Sequence, residues 1–269
     1  MQAPIVFTRV SSYNLRMTIQ LDSLVSFLDE ALRVGAFRDV SNNGLQIANS
    51  GSVSRVLTGV DASLRLLKEA AERGAQCVVC HHGLSWGDSL KRITGVNHRL
   101  VKFAIDHDIA VYAAHLPLDA HPQFGNNALL CRTMGLTRVR PAFEYHGETI
   151  GFVGSYARPI TFDAFCARVR QHVNDDIRIL DFGSKTVRTI GVVSGGGADM
   201  ADQSVALKAD VFLTGEPNLQ GYTFAENAGL NMVFAGHYAT EVFGVRALAG
   251  LIAKSLRLPT EFADFRIPY

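Results

Sequence analysis

The sequence predicts an α/β protein of two lobes, each a mostly parallel or mixed sheet covered by helices. Two observations carry this. Strand-like apolar runs alternate with helical ones, the pattern of repeated βαβ units. The alternation weakens once, between about Arg138 and Gly147, where Pro141 and the polar residues 144–147 intervene, and then resumes in the same form. Length agrees, since 269 residues suffice for one large domain or two smaller ones at roughly 100–200 residues each.

Taken in order, residues 1–16 lack periodicity and read as an N-terminal arm. From Met17 the residues Leu21, Leu24, Val25, Leu28 and Leu32 recur at helical spacing. Val53–Val60 then reads as a strand, Ser63–Arg73 as a helix, Gln76–Cys80 as a strand, His98–Asp106 as a helix and Ala110–Ala114 as a strand. These fill a first lobe over 17–140. In the second lobe, 141–269, Ile150–Tyr156 reads as a strand, Phe162–Val173 as a helix and Ile177–Phe182 as a strand. Ile190–Val193, Val211–Leu213 and Met232–Ala235 follow as buried strands, each leading into a glycine-containing turn and a helix.

Composition narrows the function. Hydrophobic residues are 48% and charged residues 19%, which excludes a disordered or fibrous chain. The 26 Lys and Arg against 25 Asp and Glu leave a formal net charge of +1 with the signs interspersed, which argues against broad nucleic-acid binding. No apolar stretch is long enough to span a bilayer and the opening residues do not resemble a signal peptide, so a cytoplasmic protein is expected. Cys77, Cys80, Cys131 and Cys166 do not form a secreted disulfide pattern and are expected as free thiols. Cys77 and Cys80 have the CxxC spacing but lie inside an apolar strand, where they read as small hydrophobes.

Three segments, at 77–86, 111–122 and 232–241, concentrate metal-ligand side chains, and each follows a predicted parallel strand. In open α/β sheets that edge is where ligands bind. His81 and His82 are adjacent, so on a regular strand they face opposite ways and suit two neighbouring ions better than one. His237 and Glu241 lie one helical turn apart on one face, and Asp119 adds a second carboxylate to balance two dications. These N and O donors match zinc, iron or manganese. Glu216 and His115, each past a strand at the same edge, are candidates for proton transfer or for supporting the ligands; helix capping is the competing reading. The glycine-rich Ser194–Asp199 follows a strand but lacks the Lys and Ser/Thr of a phosphate loop, so it reads chiefly as a tight reversal.

These strings resemble a known family, the interacting-factor-three-like proteins named GTP cyclohydrolase 1 type 2 homologs. The matching residues are Asn43–Gln46, Cys80–Gly83 with Trp86, His115–Ala128, Ser194–Asp199, Thr214–Glu216 and Gly236–Glu241, in the expected order. The resemblance implies interlocked lobes, a dinuclear metal site in the cleft, and a ring-shaped homohexamer. It implies His81, His82, Asp119, His237 and Glu241 as ligands of two divalent ions, with Glu241 the bridge, and assigns His115 no ligand role. One departure is the run Pro217–Gly221, where many relatives carry a histidine. The implied activity is a metal-dependent hydrolase that opens a purine nucleotide ring, acting on a small-molecule substrate of nucleotide type. A dinuclear phosphoesterase or amidohydrolase and a non-catalytic metal-binding regulator or scaffold are the alternatives.

Overall fold

The structure is a computed structural model that describes residues 17–88 and 90–269; the expected arm at 1–16 lies outside the described residues. The chain opens with β1 (Ile19–Gln20), α1 (Leu21–Leu32), β2 (Gly44–Ile47) and β3 (Ser52–Val53). It then runs through β4 (Val56–Asp61), α2 (Leu64–Glu72), β5 (Cys77–His82), α3 (Gly95–Asp106), β6 (Ala110–Ala113), α4 (Leu116–Ala120) and α5 (Asn126–Thr133). There follow β7 (Thr137–Tyr145), β8 (Glu148–Thr161), α6 (Phe162–His172), β9 (Arg178–Leu180), β10 (Thr186–Val192) and α7 (Ala201–Ala206). The last elements are β11 (Val211–Thr214), α8 (Leu219–Ala228), β12 (Asn231–Phe234), α9 (His237–Leu256) and β13 (Thr260–Phe262). Local chemistry starts the helices where expected: Ser63 caps α2 by accepting from the Leu66 amide at 3.2 Å, and Thr161 caps α6 by accepting from Ala164 at 3.1 Å.

Two large sheets result. One is ordered β13-β4-β5-β6-β2, with β13, β4, β5 and β6 parallel and β2 antiparallel at the edge. The other is ordered β7-β8-β10-β11-β12-β9; only β10, β11 and β12 are mutually parallel, and β7, β8 and β9 pair antiparallel. The region 138–147, which reads as a polar interruption in the sequence, is the β7–β8 hairpin, its reversal made by His146 and Gly147 at positive φ. Its residues look unlike a strand because most of β7 is exposed, so no apolar run marks it.

The central strands are buried on both faces, as parallel strands between helices must be. In the first sheet, α2 and α3 cover one face through Leu66, Leu67, Ala70 and Ala104. On the other face α1 presents Leu21, Leu24, Leu28 and Leu32, and α9 presents Val245, Leu248 and Ile252. Each fully buried Val, Leu or Ile contributes roughly 1.5–3 kcal/mol. The halves exchange elements. Helix α5, from the first half, buries Leu130 and Cys131 against the second sheet, while α9 and β13, from the last forty residues, belong to the first. The sheets therefore do not divide the chain at residue 140: β7 enters the second sheet at Thr137, and the chain returns to the first sheet at its far end. No helix among the described residues is long and apolar enough to cross a membrane.

Candidate metal centre

The carboxyl ends of both sheets' parallel strands meet at one place. From the first sheet come Asp61 at the end of β4, His81 and His82 at the end of β5, and His115 and Asp119 in the turn and helix after β6. From the second come Ser194 and Gly195 after β10, Glu216 after β11, and His237 and Glu241 at the start of α9, after β12. Ligand-capable atoms fall into three groups, each within 4.8 Å of one another: His81, Asp119 and Glu241; His82, His237 and Glu241; and His81, His82 and His115. All five expected ligands and His115 are thus brought together. His81 and His82 are closer than a regular strand predicts, their rings 4.6 Å apart. The pairing of β5 with β6 stops at Cys80, so the last two residues are held by β4 alone and the pleat no longer forces the side chains apart.

One pattern repeats at every histidine of the cluster. Nδ1 of His81 donates to the Ala114 carbonyl at 3.0 Å, that of His82 to Asp61 at 2.9 Å, that of His115 to Asp39 at 3.0 Å, and that of His237 to Glu216 at 2.7 Å. Carbonyls and carboxylates only accept, so Nδ1 carries the proton and a neutral ring keeps its lone pair on Nε2. At His81, His82 and His237 that atom faces the carboxylates: His81 Nε2 lies 3.6 Å from Asp119 and 3.4 Å from Glu241, and the Nε2 atoms of His82 and His237 lie 3.2 and 3.1 Å from Glu241. Carboxylate or carbonyl support behind a histidine is the arrangement that orients metal ligands.

The carboxylates are themselves fixed. Asp119 accepts from Asn126 and Ser194, each at 2.9 Å, and Asn126 also takes the Gly244 amide, which draws α5 against α9. Glu241 is 2% exposed and Asp119 5%, and no Lys or Arg pairs with either among the described residues. Two buried atoms, His81 Nε2 and Glu241 Oε2, lie near partners without forming a hydrogen bond. Buried carboxylates without a protein cation, facing unsatisfied imidazole nitrogens, fit a divalent metal, and the N and O donor set with no thiolate suits zinc, iron or manganese.

Electrostatics agree with that fit. Burial opposes charge on His81, but Asp119 and Glu241 outweigh it and push its pKa up to about 10. Burial likewise opposes charge on His237, but Glu241 and Glu216 raise it to about 9. Burial works against ionised Glu241, yet His81 and His82 hold its carboxyl well below the usual range. Without metal, the cluster balances its carboxylates with protons; an ion that takes the Nε2 positions releases them.

Gly195 shows how closely the loops approach. Its φ is +62°, and a Cβ there would lie 2.3 Å from Glu241 Oε1 and 3.0 Å from His237 Nε2. The glycine-rich turn is therefore a close approach of backbone to the cluster. Neither Glu216 nor His115 is a cap: Asn218 caps α8, accepting from Gly221 at 2.7 Å, and the His115 side chain makes no cap bond to α4. Glu216 stands behind His237, away from the cluster centre. His115 stands beside His81 and His82, with Trp86 packed edge-on against it at 4.9 Å.

Asp39 and Asp61 do not stand out in the sequence. Asp61 directly follows a predicted strand and so obeys the strand-end rule that marked the histidines. Asp39 lies in an irregular stretch with no pattern, yet its buried carboxylate takes His115, the Leu116 and Ser41 amides and the Asn43 side chain. The Asn43–Gln46 string has a structural use as well: Asn43 Oδ1 accepts the His115 amide, and Gln46 Oε1 accepts the amides of Leu84 and Ser85. It ties the two histidine-bearing loops together.

Fold and site define a class: α/β proteins of two interlocked sheets, with histidines and carboxylates from both gathered where the strand ends meet. The chain belongs to the Duf34/NIF3 (NGG1p interacting factor 3) family, whose model matches residues 19–266. A protein of Deinococcus radiodurans named GTP cyclohydrolase 1 type 2 homolog is 42% identical over 255 residues, 95% of this chain and 97% of that one. Among solved structures, protein ybgI, described as of unknown function, has a TM-score of 0.88 at 32% identity, covering 93% of this chain and 100% of that one. TTHA1606 from Thermus thermophilus has a TM-score of 0.85 at 34% identity, with the same coverage.

Proposed function

We propose that the chain is a dinuclear metal protein that hydrolyses a small nucleotide-like or heterocyclic substrate. The observation that carries this reading is the set of Nδ1-braced imidazoles whose Nε2 atoms face two buried carboxylates with no Lys or Arg between them. The relatives' name, GTP cyclohydrolase 1 type 2 homolog, supports a purine nucleotide as the substrate and hydrolytic ring opening as the reaction.

Of the two groups that contain a carboxylate, His81 and Asp119 would hold one ion and His82 and His237 the other, with Glu241, common to both, shared between them. Two divalent ions so held polarise a substrate oxygen or nitrogen and lower the pKa of water. His115, outside both groups, presents Nε2 beside them and passes a proton between water and the departing group, while Asp39 on Nδ1 keeps its tautomer. Glu216 and Asp61 orient His237 and His82. Trp86 offers a planar edge at the His82–His115 side for a heterocyclic substrate. In the family's manner the protein assembles as a homohexamer, which light scattering in solution tests.

The deciding experiment is activity of metal-reconstituted protein against nucleotides, phosphoesters and cyclic amides. Hydrolysis should stop on chelation, return with added metal, and be absent from folded Asp119→Ala. If reconstituted protein turns over none of these, and Asp119→Ala still performs its cellular role, the non-catalytic metal-binding reading replaces this one.

A further inference from the structure

A cavity of about 750 Å³ is lined by Glu216, the residue that stands behind His237 as seen from the cluster. His237 points Nε2 at Glu241 and Nδ1 at Glu216, and Glu216 lines this cavity. The floor is apolar, formed by Phe234 at the end of β12 and by Tyr238 and Val242 on α9. One wall is the stretch after β13, fastened to α9: Tyr238 donates its hydroxyl to Asp264 at 3.1 Å and accepts the Phe265 amide at 2.8 Å, and the Tyr238 amide donates to the Tyr269 carbonyl at 3.0 Å.

Arg170 at the end of α6, Arg178 in β9 and Arg266 stand around this floor, and among the described residues no hydrogen bond or ion pair occupies their guanidinium groups. The fourth arginine of the lining, Arg246, is engaged, 2.7 Å from Asp264 and stacked on Phe262. Of the lining carboxylate side chains, Glu216 is taken by His237 and Asp264 by Arg246, which leaves Asp175 and Asp176 beside three free arginines, while the Tyr269 main-chain oxygen is taken by the Tyr238 amide. A planar guanidinium matches the oxygen geometry of phosphate and carboxylate, and the volume falls within the roughly 300–1,000 Å³ of small-molecule sites.

We propose that this cavity binds a small organic oxoanion carrying a flat apolar body, an aryl phosphate or carboxylate in kind, and that Glu216 couples its occupancy to the orientation of His237. The anionic group meets the arginines and the apolar body lies on Phe234, Tyr238 and Val242. The site is separate from the reacting centre, because His237 and the start of α9 stand between them. The binding claim holds whether or not the cluster is catalytic.

Isothermal titration of the full-length chain with phenyl phosphate, inorganic phosphate and phenol tests it. Phenyl phosphate should bind saturably, one per chain, and more tightly than either fragment. Arg178→Ala and Arg266→Ala should each weaken it about tenfold, the loss expected for a charged hydrogen bond. Ala239→Phe, which projects a ring into the cavity from its lining on α9 and leaves every charge in place, should abolish it, and Asp119→Ala should bind as the wild-type chain does when both are compared free of metal, since the coupling to the cluster is reciprocal. No saturable binding, equal binding by the Arg178→Ala/Arg266→Ala double variant, or loss of binding in Asp119→Ala, which would place the probe on the cluster, each overturns the site. The coupling is read separately: saturating phenyl phosphate should shift metal affinity in the wild-type chain and leave Glu216→Gln unaffected. Unchanged metal affinity in the wild-type chain overturns the coupling alone.

Discussion

Strand β5 holds two cysteines and, next to them, His81, and burial acts on the two kinds of group with opposite outcomes. Cys77 is fully buried with no charged partner, and burial pushes its thiol up to about 12; Cys80, as deeply buried, is pushed higher still, by burial first and then by the charges of Asp61 and Cys77. His81, immediately after Cys80 and equally buried, is driven toward its charged form because two carboxylates face it. Burial alone neutralises a group; burial beside fixed opposite charge ionises it. The chemistry of β5 is therefore set by what the neighbouring strands deliver to its end.

The sharpest way to break this contrast is to remove the carboxylate common to both metal groups. Glu241→Gln should abolish binding of both ions, whereas His82→Ala should mainly remove one; elemental analysis of reconstituted variants reads the stoichiometry, and equal single-ion loss in the two counts against the bridge. Removing a supporting group should cost less. Asp61→Asn and Glu216→Gln should each lower metal affinity about 10–100-fold, the usual cost of losing such a partner, with folding retained. Competition against a chromophoric chelator measures this, and unchanged affinity would mean that the Nδ1 contacts do not orient the rings.

A smaller effect concerns the metal-free protein. Because the folded pKa of His81 is raised from 6.5 to about 10, and that of His237 to about 9, their stabilisation is complete below about pH 6.5 and is lost as the pH rises through those values. The chelator-treated protein should thus melt at a lower temperature at pH 9.5 than at pH 6.5, and bound metal should remove most of that difference. A flat pH dependence without metal would contradict the electrostatic account. The smallest effect is expected at the other end of the comparison: the Cys77→Ala/Cys80→Ala double variant should keep its full metal content and lose about 1 kcal/mol of stability per site. Loss of metal from it would show that the thiols act as ligands.

What could be read from the sequence follows the same division. Strands β4, β5, β6, β11 and β12 are short apolar runs buried on both faces, and such runs announce themselves. β7 carries no such run because most of it is exposed, and edge strands β2 and β13 are short, mostly half-buried and paired with strands distant in the chain. The candidate ligands are legible because each lies at a strand end or shortly after one. Asp39 is not, because its place behind His115 depends on a contact across 76 residues of sequence. From the sequence each sheet reads as mostly parallel or mixed, and the second is mixed; the pattern does not choose, because parallel and antiparallel partners of a buried strand leave the same apolar run.

The return of α9 and β13 to the first sheet also orders events in time. Strand β13 pairs with β4, about 200 residues earlier, so the first sheet stays incomplete until β13 has been synthesised. Loop closure over that span is slow, and a native contact of such high sequence separation belongs late in folding. A nascent chain that has displayed only His81, His82 and Asp119 lacks His237 and Glu241, which arrive on the last long helix. The proposed ions would therefore find their full ligand set only after the two sheets have closed on each other, so a partly made chain would offer only part of it.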